Sequence, residues 1–327
     1  MRKTLLATLA AGALLALPAA AQMDDVKITA TKLADGIHML TGKGGNIGVL
    51  TGPDGTFMID DQFAPLTARI MVAVKSIGGD TPRFLINTHY HFDHTGGNEN
   101  LGNAGVTIVS HDNVRKKLAE GTTIVAFNRV MPPAPKAAVP VITFTREMTF
   151  HLNGETVHAI HSPNAHTDGD TIIHFEKANM IHAGDLFFNG FYPFIDTGAG
   201  GTVQGVIAAV DKMLALADDN TKIIPGHGPL ADKNALMAYR TMLETAQVRL
   251  SKLNREGKSA SEAVAAKPLP IWRPNGAAAS CPQTNGFPSS MTACSRTTVA
   301  QTKTASVLTG AACVALLPYS HHTTTVI

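Results

Sequence analysis

Cysteine is nearly absent from this chain: only Cys281, Cys294 and Cys313 occur among 327 residues. The first 280 residues therefore hold no disulfide, no thiolate nucleophile and no thiolate metal ligand. Acidic residues stop at Glu262, leaving the last 65 positions without any. Beyond the N-terminus, no apolar run reaches membrane length free of charges and breakers. Aromatics make up 6% of the chain and do not interleave with basic residues, so the usual signature of nucleic-acid binding is missing. There is no internal repeat and no heptad pattern, which excludes solenoids and coiled coils.

What remains is the composition of a globular protein, 44% hydrophobic and 16% charged, long enough for one large domain. Arg2 and Lys3 precede an apolar run, Leu5 to Leu17, closed by Ala19, Ala20 and Ala21. This is the pattern of a secretory leader, and it predicts cleavage near Ala21 and export to the periplasm. Removing Arg2, Lys3, Lys267, Arg273, Arg296 and Lys303 takes Lys+Arg from 27 to 21 against an unchanged 25 Asp+Glu. The net charge of +2 thus becomes about −4 for the body, and the apparent basicity is no argument for an anionic partner. The expected layout is a leader over 1–21, one main domain over 26–267 and an atypical tail over 268–327.

Short β-rich runs alternate with helical stretches along the body. Gly36–Leu40, Ile47–Leu50, Thr56–Asp60, Phe84–Asn87 and Val106–Val109 read as strands, with a helix over Ala64–Ile77. Asp112 is placed to cap a helix over Val114–Glu120. Further strands are expected at Val141–Phe144, Met148–Leu152, Thr156–Ile160, Thr171–Phe175 and Met180–His182, and helices at Val203–Ala217 and Leu236–Arg255. Residues 126–140, with four prolines, read as a long loop of the kind that often carries function. The grouping lacks a regular βαβ rhythm and predicts an α/β (α+β) fold, two packed sheets with helices outside.

The strand at Phe84–Asn87 runs straight into the most polar segment of the sequence, Thr88-His89-Tyr90-His91-Phe92-Asp93-His94. Imidazole and carboxylate together are what Zn²⁺ accepts. Alternate residues of an extended chain share a side, so His89 and His91 can grip one ion. Asp93 and His94 follow after the chain turns and can face a second. Further candidates are His166 in Asn164-Ala165-His166-Thr167-Asp168-Gly169-Asp170, Asp185 in His182-Ala183-Gly184-Asp185, and His227 in Pro225-Gly226-His227-Gly228. Each stands near the end of a strand-like run.

This ordered series resembles the metallo-β-lactamase fold superfamily, from about Lys32 to Leu230. The resemblance implies an αββα sandwich of two mixed β-sheets flanked by helices, with the site at one sheet edge. It implies that His89, His91 and His166 hold one zinc, that Asp93, His94 and His227 hold a second, and that Asp185 bridges them. Flavin-linked di-iron members carry Glu where His91 stands, which disfavours oxygen reduction. The largest class of metallo-β-lactamases has Cys at the bridging position. Asp, as at Asp185, is typical of hydrolases of thioesters, lactones and phosphodiesters, and of exported lactamase-like proteins.

Two zinc ions about 3.5–4 Å apart activate a bridging water for attack on a carbonyl. The expectation is therefore a hydrolase opening a cyclic amide or ester in a small-molecule substrate, with Asp93 orienting the nucleophile. A thioesterase of glyoxalase-II type is the alternative, and a metal-binding member without turnover a third. Asp60 and Asp61 end a strand, where the resemblance implies an Asp supporting the metal loop, and Asp168 and Asp170 are expected either to orient His166 or to cap the next strand. Phe187, Phe188, Phe191, Tyr192 and Phe194 are expected either to line a substrate cleft, Phe191 and Tyr192 foremost, or to form a core segment, while His174 and His182 read as core histidines.

The tail differs from everything before it. Thr, Ser, Ala and Gly dominate after Leu269, and the apolar residues follow no period, making it a poor candidate for a packed element. Choosing permitted codons and reading Leu269–Cys294 from the third base of the Leu269 codon gives ADLEAEWGRGFLPPDEWVSIVYDSL. That is the acidic, aromatic ending with a valine-rich strand common in related chains. The tail thus reads as the out-of-frame product of a frameshift near Leu269.

Overall fold

The computed structural model describes residues 23–269. The leader-like residues 1–21 and all but the first two residues of the tail lie outside the described part. In chain order, the strands are β1 (Thr29–Ala34), β2 (Ile37–Thr41), β3 (Ile47–Leu50), β4 (Phe57–Ile59), β5 (Phe84–Asn87), β6 (Thr107–His111), β7 (Thr122–Ile124), β8 (Arg129–Met131) and β9 (Ile142–Phe144). They continue with β10 (Glu147–Leu152), β11 (Glu155–Ser162), β12 (Asp170–Phe175), β13 (Met180–His182) and β14 (Lys222–Ile224). The helices are α1 (Thr67–Ser76), α2 (Phe92–Thr95), α3 (Asn98–Asn103), α4 (Asp112–Glu120), α5 (Val203–Leu216), α6 (Lys233–Arg255) and α7 (Ala260–Ala265).

Seven strands form one sheet in the order β1-β2-β3-β4-β5-β6-β9, and β10 to β14 form a second in sequence order. Both are mixed. In the first, β1 to β4 pair antiparallel, whereas β4, β5, β6 and β9 run parallel. In the second, only β13 and β14 are parallel. The β7–β8 hairpin stands apart as a two-stranded ribbon.

Residue alternation builds the four layers. Ile86 of β5 points between the sheets toward Ile173, Phe175 and Ile224, while its neighbour Leu85 points outward to Leu66, Ile70 and Val74 beneath α1. On the second sheet, Ile172, Ile181 and Ile223 face Val206, Val210 and Met213 of α5 and Leu236, Tyr239 and Leu243 of α6. The central strands β4 and β13 are thus buried on both faces, while the edge strands β1 and β10 leave alternate or most residues exposed, and the product is an αββα sandwich.

The helix expected from Ala64 begins with a separate 3₁₀ turn, Ala64–Leu66, containing Pro65, and the α-helix proper starts at Thr67. Asp112 is not the cap of α4: that role falls to His111, whose Nδ1 accepts from Asn113 N at 3.2 Å, so Asp112 sits in the first turn. Helix α6 starts earlier than periodicity suggested because Asp232 caps it, accepting from Ala235 N at 2.8 Å. The expected loop over 126–140 is partly structured by β8 and a 3₁₀ turn at Lys136–Ala138.

Candidate functional site

Strand ends converge at one edge of the sandwich. His89 and His91 follow β5, and Asp93 and His94 lie on the short α2. His166 precedes β12, Asp185 follows β13 and His227 follows β14. Because β12 runs antiparallel to β13 and β13 parallel to β14, the start of β12 and the ends of the other two fall at the same edge. Thr171 N donates to Thr88 O at 2.9 Å and so joins the two sheets beside the site.

The seven side chains form two adjoining groups, His89, His91, His166 and Asp185 in one, and Asp93, His94 and His227 in the other. His91 Nδ1 lies 3.1 Å from His89 Nε2 and 2.9 Å from His166 Nε2. Asp185 Oδ2 faces this first group, 3.7 Å from His89 Nε2 and 3.5 Å from His166 Nε2. Its other oxygen, Oδ1, faces the second group, 3.0 Å from His94 Nε2 and 3.3 Å from His227 Nε2. His227 Nε2 is also 3.3 Å from Asp93 Oδ2. One carboxylate is therefore shared between both groups.

The outer ring nitrogens fix the inner ones. His89 Nδ1 lies 3.1 Å from Thr88 Oγ1, His94 Nδ1 2.8 Å from Asp60 Oδ2, and His166 Nδ1 2.7 Å from Phe194 O. His91 Nε2 lies 3.1 Å from Asp196 Oδ2, which also accepts from the Tyr90 hydroxyl. With outer nitrogens donating to these acceptors, the inner nitrogens carry lone pairs. In the first group, lone pairs facing each other across 2.9–3.1 Å repel unless a cation stands between them. For ligands at about 2.0–2.2 Å from a tetrahedral metal, neighbouring donors stand roughly 3.3–3.6 Å apart, close to the separations found. Asp185 Oδ1, buried and without a hydrogen bond of normal geometry, adds an acceptor with no other use. The donor set fits metal ions.

Electrostatics differ between the groups. Burial disfavours the charged imidazole and holds His166 at about 4, as suits a neutral ligand. Burial would lower His227 too, but the carboxylates Asp185 and Asp93 outweigh it and push the imidazole up to about 9. The second group is also the more open: the side chains of His227 and Asp93 are 17% and 15% exposed, against 0–5% for the first group.

The loop after β4 supports the site through strained backbone. Asp60 and Gln62 both adopt left-handed conformations, with φ of 60° and 58°, at a typical cost of ~1–3 kcal/mol each. Asp60 then accepts from Thr88 N and Thr88 Oγ1 as well as lying against His94, while Gln62 Nε2 donates to Gly45 O. Glycine is required nearby. A Cβ on Gly45 would stand 2.1 Å from His94 Cε1, and one on Gly226 would stand 2.1 Å from Asp185 Oδ1.

The structure decides two open expectations. Asp168 does not orient His166: its carboxylate turns outward to Lys117 Nζ at 2.8 Å. Asp170 braces that loop instead, accepting from Thr167 N and Oγ1, both at 2.7 Å, because its position at the start of β12 turns it inward. Tyr192 belongs to the core beneath α5 and α6 rather than to a cleft, and Phe191 packs on Phe188 at one remove from the histidines. The aromatic ring against the site is Phe194, 5.6 Å from the His91 ring and 5.7 Å from that of His166, with Phe188 stacked on His227. His182 is buried, its Nε2 bonded to Asn46 O, whereas His174 is only half-buried and stacks with His158 on the outer sheet face. Sequence reading missed Thr88, Asp196 and Asn46, whose side-chain amide donates to Pro225 O and Gly228 O and so holds the His227 loop.

A four-layer sandwich with two adjoining His/Asp groups at one sheet edge defines a class of metal-dependent hydrolases. The model of the family described as the metallo-beta-lactamase superfamily matches residues 40–227, which include all seven residues. The chain belongs to the metallo-beta-lactamase superfamily. It is 25% identical over 159 residues to a probable metallo-hydrolase, YqgX, of Bacillus subtilis, covering 47% of this chain and 72% of that one. It is 29% identical over 171 residues to a hydroxyacylglutathione hydrolase of Nitrosococcus oceani, covering 50% of this chain but only 55% of that protein. Among solved structures, a metallo-beta-lactamase of Cronobacter sakazakii aligns with a TM-score of 0.58 at 20% identity, covering 70% of this chain and 96% of that one. One from Pontibacter korlensis aligns with a TM-score of 0.55 at 17% identity, covering 67% and 99%. These likenesses show the αββα fold.

Proposed function

We propose that the protein is an exported dinuclear zinc hydrolase that opens a cyclic amide or ester, of β-lactam or lactone type, in a small molecule. The sharing of Asp185 between two donor groups carries this reading. His89, His91 and His166 would hold one ion, Asp93, His94 and His227 the other, with Asp185 common to both. Zinc in such a pair supplies Lewis acidity toward a carbonyl and a water acidic enough to attack at neutral pH.

The chain's own groups do the rest. Asp60 and Asp196 hold His94 and His91 in the orientations that turn their free nitrogens inward. Asp93 Oδ2, held by His227 and reachable from solvent, orients the attacking water and takes up its proton. Phe194 and Phe188 limit water on the sides facing His91 and His227. The bond broken is the ring C–N or C–O bond, and its nitrogen or oxygen leaves with that proton.

The leader-like residues 1–21 support export to the periplasm. Among the described residues no helix is long and apolar enough to cross a membrane. A thioester hydrolase is the second reading, favoured by the likeness to a hydroxyacylglutathione hydrolase. Metal analysis together with turnover of a cephalosporin, a lactone, a thioester and a phosphodiester separates the readings. Turnover of the thioester alone overturns the first, and no metal-dependent turnover of any overturns both.

A further inference from the structure

The β7–β8 hairpin lies beside both donor groups and is absorbed by nothing described so far. Its inner side is anchored: Ile124 is fully buried among Tyr90, Val114, Leu118 and Ala199. Its turn passes through Asn128, left-handed at φ 45°, which starts the return strand at Arg129 opposite Ile124. At one end of the turn Phe127 packs on Phe194 at 4.7 Å, and Phe194 touches His91 and His166 of the first group. At the other end Arg129 lies over the Phe92 ring, its guanidinium carbon 3.5 Å from the ring centroid. Phe92 is the residue between His91 and Asp93, and it is braced in turn by Phe63 at 5.9 Å.

A guanidinium stacked in this way has its position fixed while its N–H edge stays free. Among the described residues Arg129 makes no side-chain hydrogen bond and no ion pair, unlike Arg240, which pairs with Asp211 and Glu244, or Arg115, which donates to Pro140 O. Its contact with Phe92, the residue before Asp93, places the guanidinium beside the more open donor group, and the Asp93 carboxylate opposes the lowering of its pKa by partial burial. Exposed, set against an aromatic ring and without an ion pair, this cation is free to receive an anion from solution.

We propose that Arg129 is the substrate's anion anchor: it binds a carboxylate carried by the scissile ring compound, while Phe127 and Phe194 take the apolar part. This deepens the hydrolase reading and rests on it. Arg129 is a binding residue and takes no part in bond breaking.

The test uses the metal-loaded full chain with benzylpenicillin and its methyl ester, which differ only in the carboxylate. R129A is expected to lower kcat/KM for the free acid at least ~10-fold, through KM, with less than ~2-fold effect on the ester, the size expected for a charge-assisted hydrogen bond. R129K, which keeps the charge but loses the fork, should fall between. Calorimetric binding of the ring-opened dicarboxylate should weaken in R129A by a similar factor, and wild-type affinity should fall as salt rises. Equal loss for acid and ester, or no loss for either, overturns the inference. If the wild type turns over neither compound, the cyclic-amide reading fails instead. Calorimetry of intact acid against ester then decides Arg129: no preference for the acid in the wild type, or one that survives R129A, overturns it.

Discussion

Asp60 Oδ2 stands 2.8 Å from His94 Nδ1 and also accepts the Thr88 hydroxyl at 2.7 Å, whose oxygen lies 3.1 Å from His89 Nδ1. A single buried carboxylate therefore orients one histidine of each donor group. Asp60→Ala should weaken metal retention ~10–100-fold, the usual effect of losing a hydrogen-bond partner behind a metal-bound histidine. Competition with a chromogenic chelator measures this, and unchanged retention would contradict the role given to Asp60.

Gly226→Ala tests the shared carboxylate. The new methyl would collide with Asp185 Oδ1 and with Gly184 O, at 2.1 and 2.5 Å. Metal content by mass spectrometry should fall below that of the wild type, and turnover should fall with it. Full occupancy in this variant would mean that Asp185 is not held where the groups meet.

Removing metal should lower thermal stability. A ligand at 1,000 times its Kd stabilises the folded state by about 4 kcal/mol. For a domain of this size that corresponds to roughly 10 °C in Tm. Scanning calorimetry before and after dialysis against a chelator gives the value, and an unchanged Tm would mean that the facing lone pairs need no cation.

Asp168 and Asp170 should separate cleanly. Asp168→Ala breaks a partly exposed pair with Lys117 and should cost less than ~1 kcal/mol, with metal content unchanged. Asp170→Ala strips two acceptors from a buried loop next to His166, leaving Thr167 N and Oγ1 unsatisfied, and should cost ~2–4 kcal/mol. Urea unfolding of the two variants decides it, and a larger loss for Asp168→Ala would reverse the assignment.

The frameshift reading has a direct test in the nucleotide sequence of the gene. Reading the third base of the Leu269 codon onward should give the acidic, Trp-containing ending. Stops or unrelated residues in that frame would end the idea. The restored chain should unfold at a higher temperature than the present one.

Contiguous chemistry was the legible part. His89, His91, Asp93 and His94 announce themselves because they crowd six positions, and the αββα fold followed from the family they resemble. Thr88 and Asn46 did not stand out, since a Thr after a strand or an Asn before one has no pattern of its own; only packing of the two sheets brings Asn46 to Pro225 and Gly228. Which of Asp168 and Asp170 braces the His166 loop was hidden for a related reason. Two aspartates flank Gly169, and strand register alone decides which turns inward. Strand β14, three residues long, is too short to show alternation.

The donor atoms are drawn from both sheets, His89 and His91 from the end of β5, and His166, Asp185 and His227 from the loops of the second sheet. In a body without cysteine, metal ions held by these two groups would tie distant segments together as a disulfide would. Unlike a disulfide, such a tie is reversible by chelation and indifferent to redox conditions. The molecule's resistance to opening should therefore follow the free metal concentration of its compartment rather than that compartment's oxidising power.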